Sequence, residues 1–221
     1  MDLENILASL SGRMTEHVDT SHKPTVSKET VKAKLDKVST ELCKLWGEVL
    51  PLENAYFAGG CIRDLYTGDK PKDYDIYFTR LEDVQKVKRF FDTQNGIKFT
   101  PLGNYECQVT VGLEVITCQF ITLIYGECQA VVDTFDFTMN MNYYTFAEEV
   151  LFIHYSANCL QLIPGQKIAR PLHALCRVQK FIKRGYFISH RQLIELAALA
   201  LDVPVPEAKL KEELSHLISG D

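Results

Sequence analysis

The sequence predicts an α+β fold, in which strands form a sheet and helices cover it. Apolar residues between Val31 and Leu50 recur at three- and four-residue spacing, the pattern of an amphipathic helix. By contrast, Asp73 to Phe78 alternates polar and apolar residues, which is typical of a strand with one buried face. At 221 residues with 46% hydrophobic residues, the chain is long enough to bury a sizeable core.

The other elements are predicted from β-branched and aromatic runs for strands, and from apolar periodicity for helices. Glycines mark most of the connections. In chain order we expect a helix at 31–50, a strand at 55–58, a short helix at 61–65, a strand at 73–78, a helix at 81–92, strands at 97–102, 105–111 and 114–124, a helix at 126–135, an aromatic hairpin at 141–154, and two helices within 170–201.

Three segments follow from this pattern. Residues 1–30 are polar with few apolar anchors beyond a short stretch at 3–10, so we expect a flexible N-terminal arm. Residues 31–168 hold the strands and form the main domain. Residues 169–221 are predicted to be a small helical segment.

The overall charge excludes a general attraction for nucleic acid, because the formal net charge is -5 and the pI is about 5.7. Seven cysteines without a C-x-x-C pair favour a reducing compartment over a disulfide framework or a zinc site. The first residues lack the pattern of a secretory signal, and no apolar run approaches the ~18 residues of a membrane span. We therefore expect a cytoplasmic protein that does not enter a membrane.

Asp73 and Asp75 are the first candidates for chemistry, because residues i and i+2 of a strand project from one face. Two carboxylates ~5 Å apart repel by roughly 3 kcal/mol at an effective dielectric of 20, and a divalent cation reverses that cost. Magnesium suits such a pair, since it takes one or two carboxylates and completes its shell with phosphates and water. The alternative is a solvated strand face that carries two ordinary aspartates.

Gly59 and Gly60 end the preceding strand and open a helix, an arrangement that can cradle a phosphate because glycines lack Cβ atoms and helix N–H groups point outward. Arg63 lies in the first helical turn, within reach of the same phosphate. The alternative is an ordinary tight turn.

Taken together, residues 57–78 resemble the signature of the class II tRNA nucleotidyltransferase and bacterial poly(A) polymerase family, in the DNA polymerase β superfamily. The matching residues are Gly59, Gly60, Arg63, Asp64, Gly68, Asp73 and Asp75. The resemblance implies a nucleotidyltransferase head at 31–168, with a mixed, twisted sheet flanked by helices, and a neck-like segment at 169–221. It also implies that the glycines contact a triphosphate and that the two aspartates bind two magnesium ions.

Two later segments extend the resemblance. Glu114 begins an E-V-x-T pattern that implies a third catalytic carboxylate, with a charge at a strand edge as the alternative. Asp136 and Asn140 fall in a D-F-T-x-N segment that lines the family's nucleotide pocket. Three arginines of the family pattern are absent here, each removing a bidentate phosphate partner; their positions hold Gln119, Thr134 and Phe135.

Arg177 and Lys180 lie on a basic helix that resembles the start of the family's neck, facing the triphosphate or a nucleic-acid backbone. The alternative is a solvated charged face.

The function expected from the resemblance is magnesium-dependent transfer of NMP from an NTP to a hydroxyl group, with release of pyrophosphate. The acceptor is left open among an RNA 3′ end such as that of tRNA, a small molecule and a protein. The alternative is a catalytically silent relative that binds a nucleotide, an RNA or a protein partner.

Overall fold

A computed structural model describes residues 22–94, 97–101, 103–163 and 171–201. The chain divides into two compact units, one of which spans Pro24–Asn158. The other contains the described residues from Cys159 onward together with His22 and Lys23. The amphipathic stretch predicted at 3–10 lies outside the described residues, and the domain limits 1–30, 31–168 and 169–221 stay predictions.

The unit Pro24–Asn158 contains a single seven-stranded sheet with helices on both sides. Its first helix is capped by Ser27, whose side chain accepts a hydrogen bond from the Thr30 N–H. The elements are α1 (Lys28–Trp46), β1 (Ala55–Ala58), α2 (Gly60–Tyr66), β2 (Tyr74–Phe78), α3 (Leu81–Phe91), β3 (Lys98–Phe99), β4 (Tyr105–Val111), β5 (Glu114–Phe120), α4 (Cys128–Val132), β6 (Tyr143–Thr145) and β7 (Leu151–Phe152), with 3-10 turns at Leu52–Asn54 and Thr138–Asn140.

The strand order is β3-β4-β5-β2-β1-β6-β7. All neighbouring strands run antiparallel except β2 and β5, which are parallel. The sheet is therefore mixed, and the predicted α+β class is confirmed. β2, the strand that follows Asp73, lies between β1 and β5, so its backbone is held on both sides.

Three predicted elements are clearly shorter in the structure. The strand predicted at 97–102 covers only Lys98–Phe99. The strand predicted at 114–124 ends at Phe120, and Leu123 beyond it is exposed. The helix predicted at 126–135 is reduced to Cys128–Val132. It starts late because Gly126 has a φ of 140°, far from the roughly −63° of an α-helix.

One face of the sheet carries the main core and is covered by α1, α2 and α3. Trp46 on α1 packs edge-on against Phe91 of α3 and Phe120 of β5, with ring centroids 5.8 and 5.6 Å away. We call this the helix-covered face. Its buried apolar side chains include Val31, Leu35, Val38, Leu42, Ile62, Leu65, Tyr74, Ile76, Phe78, Val84, Val87, Cys107 and Cys118.

The opposite face is here called the aspartate face, because Asp75 of β2 projects from it. At one end, Tyr56 and Tyr77 stack with centroids 5.6 Å apart, and Phe135 packs on Tyr77 at 6.3 Å. At the other end the strands carry polar side chains that are half-buried or exposed: Asp75, Glu106, Gln108, Thr117 and Gln119. The aspartate face is thus apolar and packed at one end, and polar at the other.

The second unit contains α5 (Pro171–Lys183) and α6 (His190–Leu201), which pack on each other. They are joined through Gly185, which has a φ of 83°, and Tyr186, whose ring meets Phe181 edge-on at 6.0 Å. The pair of helices predicted around this junction is confirmed. None of the helices that the structure describes has both the length and the apolar character needed to span a bilayer.

Candidate active site

Asp73 and Asp75 lie beside the start of α2. Asp75 is the second residue of β2, and Asp73 immediately precedes that strand. Cys61 lies in the first turn of α2. Burial raises the pKa of its thiol, and the negative charges of Asp75, Asp64 and Asp73 raise that pKa further. The register of β1 and β2 pairs Phe57 with Ile76, so Asp75 lies beside the end of β1, where the glycine turn into α2 begins.

The turn from β1 into α2 requires glycine at its first position. Gly59 has a φ of 83°, and a Cβ there would lie 3.3 Å from Cε2 of Phe135. Its N–H donates to the Asn142 carbonyl at 2.9 Å, so this N–H is committed to the protein. A Cβ at Gly60 would lie 3.5 Å from the Arg63 guanidinium. The turn therefore packs tightly against two other segments and sits next to the aspartates.

Arg63 and Asn140, both predicted to bind the nucleotide, contact each other in the interior. Nη1 of Arg63 donates to Oδ1 of Asn140 at 2.6 Å, and Nε donates to Oδ1 of Asp64 at 2.8 Å. All three residues are buried. This network ties α2 to the 3-10 turn Thr138–Asn140, and the nucleotide-binding role stays a prediction.

A second polar network lies behind the glycine turn. The side chain of Asn142, fully buried, accepts the His154 N–H at 3.0 Å and donates to a carbonyl of the preceding 3-10 turn at 2.7 Å. Ser156 donates to the Thr138 hydroxyl at 2.8 Å. The sequence analysis did not predict this network. The feature of the sequence that indicates it is a second asparagine two residues after Asn140.

Glu114 is not brought together with the two aspartates. The register pairs Asp75 with Gln119, so the odd-numbered residues of β5 share the face of Asp75 and Glu114 lies on the opposite one. Glu114 is also five residues from Gln119, about 16 Å of strand. It borders an open cleft of about 920 Å³ between α1 and the β4–β5 hairpin, lined also by Lys34, Lys37, Lys70, Tyr74 and Ile116.

A row of polar side chains on the face of Asp75 continues from β2 into β5 and then β4. The register places Gln119 beside Asp75 and Glu106 beside Gln119, in one row across three strands. Nε2 of Gln119 donates to Oε2 of Glu106 at 3.2 Å, and Nζ of Lys98 lies 3.5 Å from Oε1. The sequence analysis did not single out Glu106, because the pairing of β4 with β5 decides that it lies in this row.

Magnesium in proteins takes oxygen ligands, of which one or two are protein carboxylates. Among the described residues, no group of three or more His, Cys, Asp or Glu side chains is arranged to hold a metal ion. Asp73 and Asp75 supply two carboxylates, which fits one magnesium ion whose remaining ligands are phosphate oxygens and water. The three-carboxylate arrangement with Glu114 that the sequence predicted does not fit this geometry.

The remaining predicted residues lie elsewhere. Asp136 is half-buried at the start of the D-F-T-x-N segment. Arg177 and Lys180 lie on α5 in the second unit, where the Arg177 guanidinium sits 5.8 Å from the centroid of the Phe181 ring. Their predicted nucleotide-binding roles stay predictions.

The fold is that of nucleotidyltransferase head domains. The structure is similar to a CCA-adding enzyme in complex with ATP, with a TM-score of 0.54 and 18% identity over 90% of this chain and 52% of that chain. It is also similar to the Thermotoga maritima CCA-adding enzyme complexed with tRNA, with a TM-score of 0.52 and 16% identity over 99% of this chain and 50% of that one. At such identities the similarity establishes the fold alone.

A curated relative is the protein "Gabija anti-defense 2" of Bacillus phage SPbetaL7, which is 25% identical over 181 residues. The match covers 78% of this chain but 43% of the phage protein. The chain thus spans less than half the length of that relative and about half the length of the CCA-adding enzymes.

A family profile described as "Gad2: Gabija anti-defense 2 family protein" matches residues 25–160. This range contains the whole sheet, the glycine turn and both aspartates. Since it covers more than half of the 221 residues, the chain belongs to the Gabija anti-defense 2 family.

Proposed function

We propose that this protein is a magnesium-dependent nucleotidyltransferase that transfers NMP from an NTP to a hydroxyl group and releases pyrophosphate. The observation that carries the proposal is the position of Asp73 and Asp75 beside the Gly59–Gly60 turn, on the polar end of the aspartate face. The nucleotidyltransferase fold and the pair Asp73 and Asp75 next to the start of β2 support the proposal.

In this proposal the phosphates of the NTP lie near Gly60, and Asp73 and Asp75 hold one magnesium ion together with phosphate oxygens. When bound, the magnesium ion offsets the negative charge that develops on the transferring phosphoryl group and the leaving pyrophosphate. The acceptor oxygen bonds to the α-phosphorus, the bond from that phosphorus to the bridging oxygen breaks, and the hydroxyl proton passes to solvent. Asp75 is held rigidly because β2 is hydrogen-bonded on both sides.

For the acceptor we propose a hydroxyl-bearing side chain of a protein in the bacterial defence system named by the family. Two observations support this choice. Family membership links the chain to counteracting a defence system. The net charge of -5 also gives no general attraction for RNA. An RNA 3′ end and a small molecule are the other acceptors that the experiment distinguishes.

The test is transfer of label from each of the four α-labelled NTPs in the presence of magnesium. The full-length chain is incubated with purified defence proteins, with total RNA, or with neither, and the products are treated with protease or ribonuclease. We expect label in a protease-sensitive product that requires the defence protein. The Asp73→Ala/Asp75→Ala double variant should lose it, whereas the control Glu82→Ala/Glu148→Ala, at two exposed glutamates, should keep it.

A second candidate function is inhibition by binding alone, without catalysis. It is favoured by the burial of Arg63 against Asn140 and by the position of Glu114 away from the aspartates. In that case no NTP would yield a labelled product. The Asp73→Ala/Asp75→Ala variant would still protect a phage against the defence system in an infection assay, whereas the catalytic proposal requires protection to be lost.

A further inference from the structure

The polar row across β2, β5 and β4 supplies a feature that neither the sequence pattern nor the family description assigns. Gln119 stands at a position where the resembling enzymes carry an arginine, and it is the nearest residue of β5 to Asp75. Its neighbour on the other side is Glu106. The side chain beside Asp75 is therefore neutral, and the next side chain in the row, that of Glu106, carries a carboxylate.

Glu106 fixes which way the Gln119 amide faces. A carboxylate only accepts hydrogen bonds, so the amide atom that meets Glu106 at 3.2 Å must be the nitrogen. The amide oxygen of Gln119 is then the atom that can accept a hydrogen bond or bind a cation, and Gln119 is paired with Asp75 of β2. Nζ of Lys98, on the edge strand β3, lies 3.5 Å from the other carboxylate oxygen of Glu106 and forms an ion pair with it.

We propose that the amide oxygen of Gln119 is the third protein ligand of the divalent cation, and that Glu106 is a positioning residue that orients it. This inference rests on the proposed function, because Asp73 and Asp75 supply the other two ligands. Neighbouring strands lie about 4.8 Å apart, so the Asp75 carboxylate and the Gln119 amide oxygen can both reach one cation, whose oxygen ligands lie at about 2.0–2.1 Å. A set of two carboxylates and one amide oxygen also agrees with the lack of a third acidic ligand among the described residues.

The experiment measures binding of Mn²⁺, as a paramagnetic substitute for magnesium, to the full-length chain by electron paramagnetic resonance of the free ion. Asp73→Asn/Asp75→Asn should abolish binding, which establishes the site. Gln119→Leu, which removes the oxygen but keeps the volume, should weaken Mn²⁺ affinity at least roughly tenfold, and Glu106→Ala should weaken it by roughly tenfold as an outer-shell change does. The matched control is Gln108→Leu, an exposed glutamine on the same strand and face as Glu106.

Two further variants separate positioning from folding. If Glu106 acts only through Gln119, the double variant Glu106→Ala/Gln119→Leu should bind Mn²⁺ no more weakly than Gln119→Leu alone. The exchange Glu106→Gln/Gln119→Glu reverses the hydrogen bond and places a carboxylate oxygen beside Asp75, so it should bind Mn²⁺ at least as tightly as the wild type. A variant that only lost stability would unfold at a lower urea concentration, and exchanging the two side chains would not restore its Mn²⁺ binding.

The outcomes separate the two proposals. Normal Mn²⁺ binding by Gln119→Leu, with binding abolished by Asp73→Asn/Asp75→Asn, would overturn the role of Gln119 and leave the nucleotidyltransferase proposal standing. Weakened binding in Gln119→Leu without rescue by the exchange would overturn the role of Glu106. Mn²⁺ binding that survives Asp73→Asn/Asp75→Asn would overturn the metal site itself.

Discussion

Nη1 of Arg63 donates to Oδ1 of Asn140 at 2.6 Å, and the two residues are 5% and 3% exposed. The charge of Arg63 is balanced by Asp64, which its Nη2 meets at 2.6 Å. A buried guanidinium is stable only with such partners. The contact therefore fixes the 3-10 turn Thr138–Asn140 against α2, the helix that begins at the glycine turn. It thereby stabilises the backbone next to the candidate active site.

Asn140→Ala should lower the free energy of unfolding by about 1–3 kcal/mol, because it leaves a buried charged donor without one of its acceptors. Urea unfolding measures this difference. Asn54→Ala serves as the control, because the Asn54 side chain is only half-buried and contacts the exposed Glu53. An equal loss in the two variants would contradict the importance of the contact with Arg63.

Gly59→Ala should destabilise the protein more than Gly112→Ala. Gly59 combines a φ of 83° with a ψ of −125°, which costs alanine about 1–3 kcal/mol, whereas the φ of 63° at Gly112 costs it about 1–2 kcal/mol. Only at Gly59 does the new methyl group also press on Phe135 at 3.3 Å, whereas nothing lies within 4 Å at Gly112. The difference between the two urea midpoints combines that contact with the stricter backbone requirement at Gly59. It should shrink when Gly59→Ala is combined with Phe135→Leu; a difference of unchanged size would contradict a role for that contact.

His154 should make stability depend on pH. Burial lowers the pKa of His154, and its Nδ1 accepts the Ser156 N–H at 3.2 Å, as the neutral ring does. The unfolded chain then binds more protons, so this contribution is complete above pH ~6.5 and is lost as the pH falls towards the lower folded pKa. Thermal unfolding between pH 7 and pH 5 should show a decline that is smaller in His154→Gln. Identical slopes in the two proteins would contradict it.

Glu114→Gln should bind Mn²⁺ as the wild type does, since Glu114 lies on the helix-covered side of β5 and far along the strand from Gln119. Asp75→Asn should lower the affinity at least roughly tenfold. In the NTP transfer assay, Asp75→Asn should likewise lose more activity than Glu114→Gln. A loss with Glu114→Gln equal to that with Asp75→Asn would mean that the carboxylate reaches the site in the working protein.

The alternation of residues predicted much of the fold. In β2 it separated the buried Tyr74, Ile76 and Phe78 from the outward Asp75, and the strand Ala55–Ala58 was predicted with its observed limits. These predictions succeed because a strand with one buried face shows its orientation locally. The glycine turn was also predictable, since a left-handed residue favours glycine.

The relations between strands could not be predicted in the same way. The E-V-x-T pattern at Glu114 indicates a strand but carries no information on how β5 aligns with β2, and a shift of one residue exchanges the two faces. The burial of Arg63 depends on Asn140, which is 77 positions further along the chain. Such long-range pairings are determined by tertiary packing and not by the local sequence.

The sheet ends on both sides in strands of only two residues, β3 and β7. Short edges expose few unpaired backbone groups, and this limits both self-association of the sheet and the addition of a strand from another protein. Backbone pairing at an edge is therefore a poor route for recognising the protein acceptor proposed above. A partner of this chain is better recognised by side chains, and the polar end of the aspartate face offers them next to the candidate active site.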